Sequence, residues 1–468
     1  MKITFQNITA TLILATVSLV AQATDFVSCD DAKTHAALKG SVCAKVETLL
    51  NYEKPDAGKV SLFLRKFPAT NKAKGTVWFV TGGPGESGAS MYAQLRTLRR
   101  GFPNFDLIIP DHRGTGYSTR LCPLEESIES PGGSRLSGAE WETCYADIGR
   151  NVERTMQFSI TNAAHDLSAL IQQNPSTKPV YVYGVSYGTQ LVLRLFEFGP
   201  LPIKGIILDS LVPLQTAPKW DLSRRSEVVD DIGRKLLKQC DENKDCHRMM
   251  GARGEQVLSS LLEKVRLNPE IVSKLQGGNL KRFLGSLLDF PELRARIPHL
   301  INDLNSGSDK ELTSILEQLA VLQDSLGDFP QLAPSIPLTG YISSSENNLR
   351  PELTLADLQL EEKKFLFTSG LPSYLVKPSL PLYAHDKYFG KDDAHLPPTL
   401  VLQGTMDPKT HYDGALEHIQ LMRAHGKVSL VTVLDAPHFI AMFAPDCFAR
   451  VNRAFVKGKL KENQTCAM

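Results

Sequence analysis

The sequence predicts an α/β protein, a mostly parallel sheet interrupted by a helical insertion. Three observations predict it. Strand-like apolar runs alternate with runs of helical spacing, glycine-rich loops follow the strand-like runs, and from about 212 to 370 strand candidates give way to helices. The chain is organised around Tyr181-Val182-Tyr183-Gly184-Val185-Ser186-Tyr187-Gly188-Thr189, where β-rich residues run into a serine between two glycines and Gln190 to Phe196 continues as a helix. A serine at such a turn is pushed out at the end of the strand, while the glycines remove side chains that would clash with the neighbouring backbone.

In chain order, residues 1–23 stand apart. Lys2 gives a positive start, Ile8 to Val20 an apolar and Thr-rich run, and Ala21-Gln22-Ala23 a small-x-small cleavage site, so a secretory signal peptide is expected, with a secreted or periplasmic mature chain. No later stretch is apolar enough to span a bilayer. The 468 residues are 42% hydrophobic and 22% charged, a globular composition. Removing residues 1–23 removes one cation and no acid, leaving 51 charges of each sign. That balance offers nothing to nucleic acid or an anionic membrane.

Val46 to Tyr52 and Val60 to Phe67 flank the turn Pro55-Asp56-Ala57-Gly58 and read as an antiparallel hairpin. Gly75 to Val80 is a short strand ending in Thr81-Gly82-Gly83-Pro84-Gly85-Glu86-Ser87-Gly88. A helix over Met91 to Arg100 leads to the strand Phe105 to Pro110, which ends in Asp111-His112-Arg113-Gly114-Thr115-Gly116-Tyr117-Ser118. After an excursion over 119–158, Thr161 to Gln173 carries a helical period, Val180 to Tyr183 delivers Ser186, and Ile203 to Leu208 closes at Asp209. Helices are expected over Val228 to Gln239, Gln256 to Val265 and Lys310 to Leu326. Strands return with Pro398 to Gln403, ending in Gly404-Thr405-Met406-Asp407-Pro408, and Val428 to Leu434, ending in Asp435-Ala436-Pro437-His438, with a helix over Gly414 to His425 between them. A basic amphipathic helix over Cys447 to Lys461 ends the chain.

The cysteines fall as close neighbours, Cys29 with Cys43, Cys122 with Cys144, Cys240 with Cys246, and Cys447 with Cys466. In an exported chain the economical reading is four local disulfides. A zinc site is the rival, but no Cys-x-x-Cys pair exists, and no metal or organic cofactor is called for.

Serine is a poor nucleophile at neutral pH and needs a base, usually a histidine oriented by a carboxylate. Ser186, Asp407 and His438 each follow a strand, in the chain order Ser, Asp, His of a nucleophile-elbow hydrolase. Asp209 and Asp435 are rivals for the acid. Asp407 is preferred because its strand precedes the one leading to His438, and Asp435 lies too close in sequence to reach the far side of that imidazole. Backbone N–H groups of Tyr187 and of the Gly82-Gly83 segment can serve as an oxyanion hole. Phosphate binding is the alternative for that loop, which lacks the Lys-Ser/Thr of a P-loop and the Gly-x-Gly-x-x-Gly spacing.

With Gly82-Gly83-Pro84-Gly85, Asp111 to Ser118 and Gly184-Val185-Ser186-Tyr187-Gly188 together, the chain resembles the prolyl aminopeptidase and tripeptidyl aminopeptidase family of α/β-hydrolase serine peptidases, in its secreted tripeptidyl aminopeptidase-like branch. The resemblance implies the α/β-hydrolase fold, with a core over 24–211 and 371–468 and a helical cap over 212–370. It implies Ser186 as nucleophile, His438 as base and then acid, Asp407 as its orienter, and amides near Gly83 and Tyr187 as oxyanion hole. It also implies that the Asp111 to Ser118 turn shapes the site floor, with Asp111 and Arg113 structural. An aminopeptidase must recognise a free ammonium, and Glu346, in a segment resembling one in tripeptidyl members, is the candidate to face the nucleophile. Thr81 stands where prolyl members carry histidine, and Ala436-Pro437 where a glycine commonly precedes the catalytic histidine. The function implied is an exported aminopeptidase acting on peptides. A carboxylesterase on the same scaffold and a catalytically silent binding protein are the alternatives.

Overall fold

The structure, a computed structural model, describes residues 24–275, 277–324, 329–376 and 380–468. The signal peptide expected over 1–23 lies outside the described residues. Among the described residues no helix is long and apolar enough to cross a membrane.

The strands are β1 (Val27–Ser28), β2 (Val42–Leu49), β3 (Lys59–Phe67), β4 (Thr76–Val80), β5 (Asp106–Pro110), β6 (Val180–Val185), β7 (Gly205–Asp209), β8 (Thr399–Gly404), β9 (Val428–Leu434) and β10 (Asn463–Ala467). They form one ten-stranded sheet in the order β1-β2-β3-β5-β4-β6-β7-β8-β9-β10. The hairpin β2–β3 is antiparallel and pairs antiparallel with β5, and β1 pairs antiparallel with β2. From β5 to β10 every pairing is parallel. Parallel strands covered on both faces read as continuous apolar runs, and every residue of β6, β7 and β8 is buried.

The next two strands of the chain, β5 and β6, lie on opposite sides of β4, so the strand order reverses there. In open α/β sheets the crevice at the carboxyl ends beside such a reversal is where ligands bind. The loops carrying Gly82-Gly83 and Ser186 leave the sheet at that point.

Two clusters of buried apolar side chains cover the two faces of the sheet. One gathers the helices Ile160–Gln173, Tyr187–Phe196 and Tyr412–Met422 through Leu167, Leu191 and Ile419, and the other gathers Leu98, Phe448 and Val451. A third cluster belongs to helices between β7 and β8, among them Arg225–Glu242, Gly254–Leu267, Pro291–Asn305 and Lys310–Asp324. The helix Ile336–Glu346 differs from these. Its Leu338, Tyr341 and Ile342 join the first sheet cluster, so this part of the insertion packs on the sheet layer.

Disulfides join Cys29–Cys43, Cys122–Cys144, Cys240–Cys246 and Cys447–Cys466, and no cysteine is free. The expected final helix is shorter than its sequence reading. It runs over Pro445–Val456, the chain turns at Gly458 with φ 65°, and β10 then adds to the edge of β9. Glycine just past a helix in this left-handed conformation is a stop signal. The segment expected as a helix over Met91 to Arg100 begins as a 3₁₀ turn, Gly88–Gln94, before the helix Leu95–Gly101.

Candidate active site

Ser186 sits between β6 and the helix Tyr187–Phe196 with φ 55° and ψ −127°, a conformation L-residues rarely hold. Backbone bonds fix it there. Its N–H donates to Asp209 O at 3.0 Å, and its carbonyl accepts from Thr189 N and Thr189 Oγ1 at 2.8 and 2.7 Å. The flanking glycines are required by packing: a Cβ on Gly184 would stand 2.4 Å from Gly188 O, and one on Gly188 2.6 Å from Thr81 O.

Asp407 and His438 meet from the ends of β8 and β9. His438 Nδ1 lies 2.9 Å from Asp407 Oδ2 and 3.1 Å from Oδ1. A carboxylate only accepts, so the proton belongs on Nδ1 and Nε2 is left with its lone pair. Asp407 is fully buried and accepts from Lys409 N, Thr410 N and Thr410 Oγ1, each at 2.8 Å. Burial would raise its carboxyl, but His438 and the N–H groups of Thr410 and Lys409 outweigh burial and hold it below the ordinary range.

The rival acids have other work. Asp209 accepts from Ile440 N and Ala441 N at 2.8 and 2.9 Å and from Tyr183 OH at 2.8 Å, anchoring the backbone just after His438. Asp435 is exposed and accepts from Gln239 Nε2 at 3.2 Å.

Ser186 and His438 line one cavity of about 580 Å³, together with Gly82, Gly83 and Tyr187. This volume is in the range of small-molecule and peptide-end sites. As the first residue of its helix, Tyr187 has an N–H ahead of the intrahelical ladder, and Gly83 holds φ 110° in the loop after β4. The Asp111 to Ser118 turn lies beneath. Asp111 accepts from Gly88 N and Tyr117 N, Arg113 forks onto Asp166 at 2.6 and 2.7 Å, and His112 Nε2 lies 3.2 Å from Tyr187 OH.

Glu346, expected to face the nucleophile, is not among the residues that line the cavity. It ends the helix Ile336–Glu346, is 2% exposed, and its carboxylate accepts from Gln215 Nε2 at 2.8 Å with Arg194 at 3.6 Å. Burial pushes its carboxyl up, against the opposing pull of Arg194 and Gln215. Thr339 and Ser343 of the same helix, Asn347 just past it and Gln215 line the cavity, while the Glu346 carboxylate is engaged by Gln215 and Arg194.

Sequence reasoning passed over five charged cavity residues, Glu86, Asp221, Arg225, Asp289 and Lys409. Lys409 Nζ pairs with Asp289 at 3.2 Å, and Asp289 with Glu86 raises its pKa against the opposite effect of burial. Arg225 is pushed down by burial, against the pull of Asp407 and Asp289. Only Glu86 carried a usable signal, since it belongs to the same glycine-rich loop as Gly83.

A family model for the alpha/beta hydrolase fold matches residues 75–233, from just before β4 into the helix Arg225–Glu242. The serine protease Hip1 of Mycobacterium tuberculosis is 27% identical over 227 residues, 44% of this chain and 43% of that protein. The tripeptidyl aminopeptidase of Streptomyces coelicolor is 25% identical over 211 residues, 41% of this chain and 39% of that protein. The matches thus span less than half the length of these relatives. Family match, sheet order and the strand-to-helix serine agree on the α/β-hydrolase fold for this chain.

Proposed function

We propose that this protein is a serine hydrolase, an exported exopeptidase that cleaves peptide bonds near a free N-terminus through an acyl-enzyme. The observation that carries the chemistry is the hydrogen-bonded Asp407–His438 pair opening on the same cavity as Ser186. In this reading Asp407 holds the Nδ1 proton, and His438 Nε2 takes the Ser186 proton as Oγ bonds to the scissile carbonyl carbon. The carbonyl electron pair moves onto oxygen, where the N–H groups of Gly83 and Tyr187 receive it, each donor being worth roughly 3 kcal/mol. Collapse breaks the C–N bond, and His438 passes its proton to the leaving amine. Water then attacks the ester with His438 again as base, which releases the acyl group and restores Ser186.

The peptidase reading is supported by the names of the two relatives and by a cavity that the helical segment walls on the side away from the sheet, which suits the end of a chain. Export is supported by four disulfides, a feature of oxidising compartments, and by the character of residues 1–23. The same reading assigns 24–211 and 371–468 to a hydrolase core and 212–370 to a cap.

The test is turnover of aminoacyl and tripeptidyl p-nitroanilides beside short-chain p-nitrophenyl esters, wild type against Ser186→Ala. Amide turnover that is lost with Ser186 supports the proposal. Ester turnover alone makes the protein a carboxylesterase. Turnover of neither, with no labelling of Ser186 by a fluorophosphonate, makes it a silent binding domain.

A further inference from the structure

The loop after β4 ends in a carboxylate with nothing to hold. Glu86 is half-buried, lines the cavity with Ser186 and His438, and its carboxylate takes part in none of the hydrogen bonds or ion pairs among the described residues. Lys409, the cation that acts on it through space, has its ammonium on Asp289. Glu86 is also close to the reacting atoms. A Cβ placed on Gly82 would stand 3.4 Å from Glu86 Oε2 and 3.3 Å from Ser186 Cβ, so carboxylate and nucleophile both lie against Gly82.

The loop is fixed, so this placement is built in. Thr81 Oγ1 donates to Glu86 O at 3.0 Å, Ser335 N donates to Gly85 O at 2.9 Å, and a Cβ on Gly85 would stand 2.2 Å from Ser335 O. A carboxylate held beside the place where an oxyanion forms opposes that charge. A substrate that brings a cation to Glu86 removes the opposition, and the gain is largest in the transition state.

We propose that Glu86 receives a positive charge carried on the acyl residue of the substrate, which rests on the hydrolase reading above and adds a length rule to it. In an acyl group of one residue the α-ammonium is two bonds from the scissile carbonyl carbon, about 2.5 Å away. In a tripeptidyl group it lies two residues further off, about 7 Å more along an extended chain. Proximity of Glu86 to Ser186 therefore favours release of single residues. The same chemistry is offered by the side-chain ammonium of lysine in an acyl residue with a blocked amine.

The experiment compares wild type, Glu86→Gln and Glu86→Asp on the p-nitroanilides of alanine, N-acetylalanine, N-acetyllysine and trialanine. Wild type is expected to prefer alanine over N-acetylalanine, and Glu86→Gln to cut that ratio of kcat/KM by roughly tenfold or more, the worth of a hydrogen bond to a charged group. Glu86→Asp, which keeps the charge, is expected to retain part of the ratio, and this separates charge from folding. If the preference instead lies with N-acetyllysine over N-acetylalanine and falls in Glu86→Gln, the cation is the side chain.

Equal losses on all four substrates, an unchanged ratio, or a preference confined to trialanine would overturn the proposal. Failure of the peptidase reading is visible separately. Where amides are inert, the same ratio is read on p-nitrophenyl esters of alanine and propionic acid, and absence of an ammonium preference there would overturn the Glu86 assignment.

Discussion

The two sides of the cavity are built differently. On the sheet side each group is held by several others: Asp407 by Lys409 N, Thr410 N, Thr410 Oγ1 and His438, and the backbone after His438 by Asp209. On the helical side polar groups face the space with few bonds. Asp289 has one buried oxygen without a partner, and the Arg225 guanidinium donates no hydrogen bond among the described residues. Saturated networks fix geometry, whereas unsaturated ones are costly unless a ligand completes them. The sheet side is thus the more firmly fixed of the two, and the helical side keeps charged groups with few partners.

The largest effect should come from breaking the saturated side at its centre. Asp407→Asn is expected to lower kcat by roughly 10⁴-fold on every substrate alike, because an amide no longer enforces the Nδ1–H tautomer. Steady-state kinetics across esters and amides measure this, and a loss confined to one class would show that Asp407 acts on binding. Next in size is Asp166→Asn, beneath the floor. Asp166 accepts from Arg113 Nε and Nη2, Thr48 Oγ1 and Tyr52 OH, with Arg113 fully buried. Leaving that guanidinium short of its counter-charge should cost about 3–5 kcal/mol in urea unfolding.

A third test uses pH on the same floor. Burial lowers His112 to about 4, with Arg113 O, Asp166 and Arg113 as its other influences and Tyr187 OH at Nε2. A histidine whose folded pKa is depressed contributes stability that is present above its unfolded value near 6.5 and is lost as pH falls towards 4. Burial raises neighbouring Asp111 to about 6, so it works in the opposite direction and favours the folded state as pH falls through the same window. The two nearly offset in the wild type. His112→Gln should therefore gain on the wild type by up to about 1.4 kcal/mol per pH unit between pH 6.5 and 4. A pH-independent difference in unfolding free energy would show that His112 is not buried neutral.

Strands leading to Ser186, Asp407 and His438 were legible because each buried parallel strand is an apolar run ending in a loop of unusual composition. Strand β10 was not. Asn463–Ala467 has one buried residue, Cys466, and it pairs with the open edge of β9 while tied to Cys447. Its pairing comes from an edge and a covalent bond, neither of which leaves an apolar pattern. Gly458 did mark the end of the preceding helix, against the longer span read from its amphipathic pattern. In the site, the engagement of Glu346 was not legible because its partners Arg194 and Gln215 lie more than a hundred residues away. Pairings at that range follow from packing of the insertion on the sheet layer, which local spacing does not encode.

The smallest expected effect bears most directly on the difference between the two sides. Arg225 carries a charge that burial disfavours, and no hydrogen bond among the described residues compensates it. Removing a poorly compensated charge relieves desolvation, so Arg225→Met should leave unfolding free energy unchanged or raise it by up to about 1 kcal/mol. Its kinetic effect should be selective. Five donors facing the cavity suit carbonyl or carboxylate oxygens of a peptide, so KM should rise for peptide amides more than for p-nitrophenyl acetate, which has no such oxygens beyond its ester group. Thermal melting and the two KM values together decide the matter. Loss of stability comparable to that of Asp166→Asn would mean that Arg225 belongs to the saturated side, and the division of the cavity into a fixed and an incomplete wall would fail at its clearest residue.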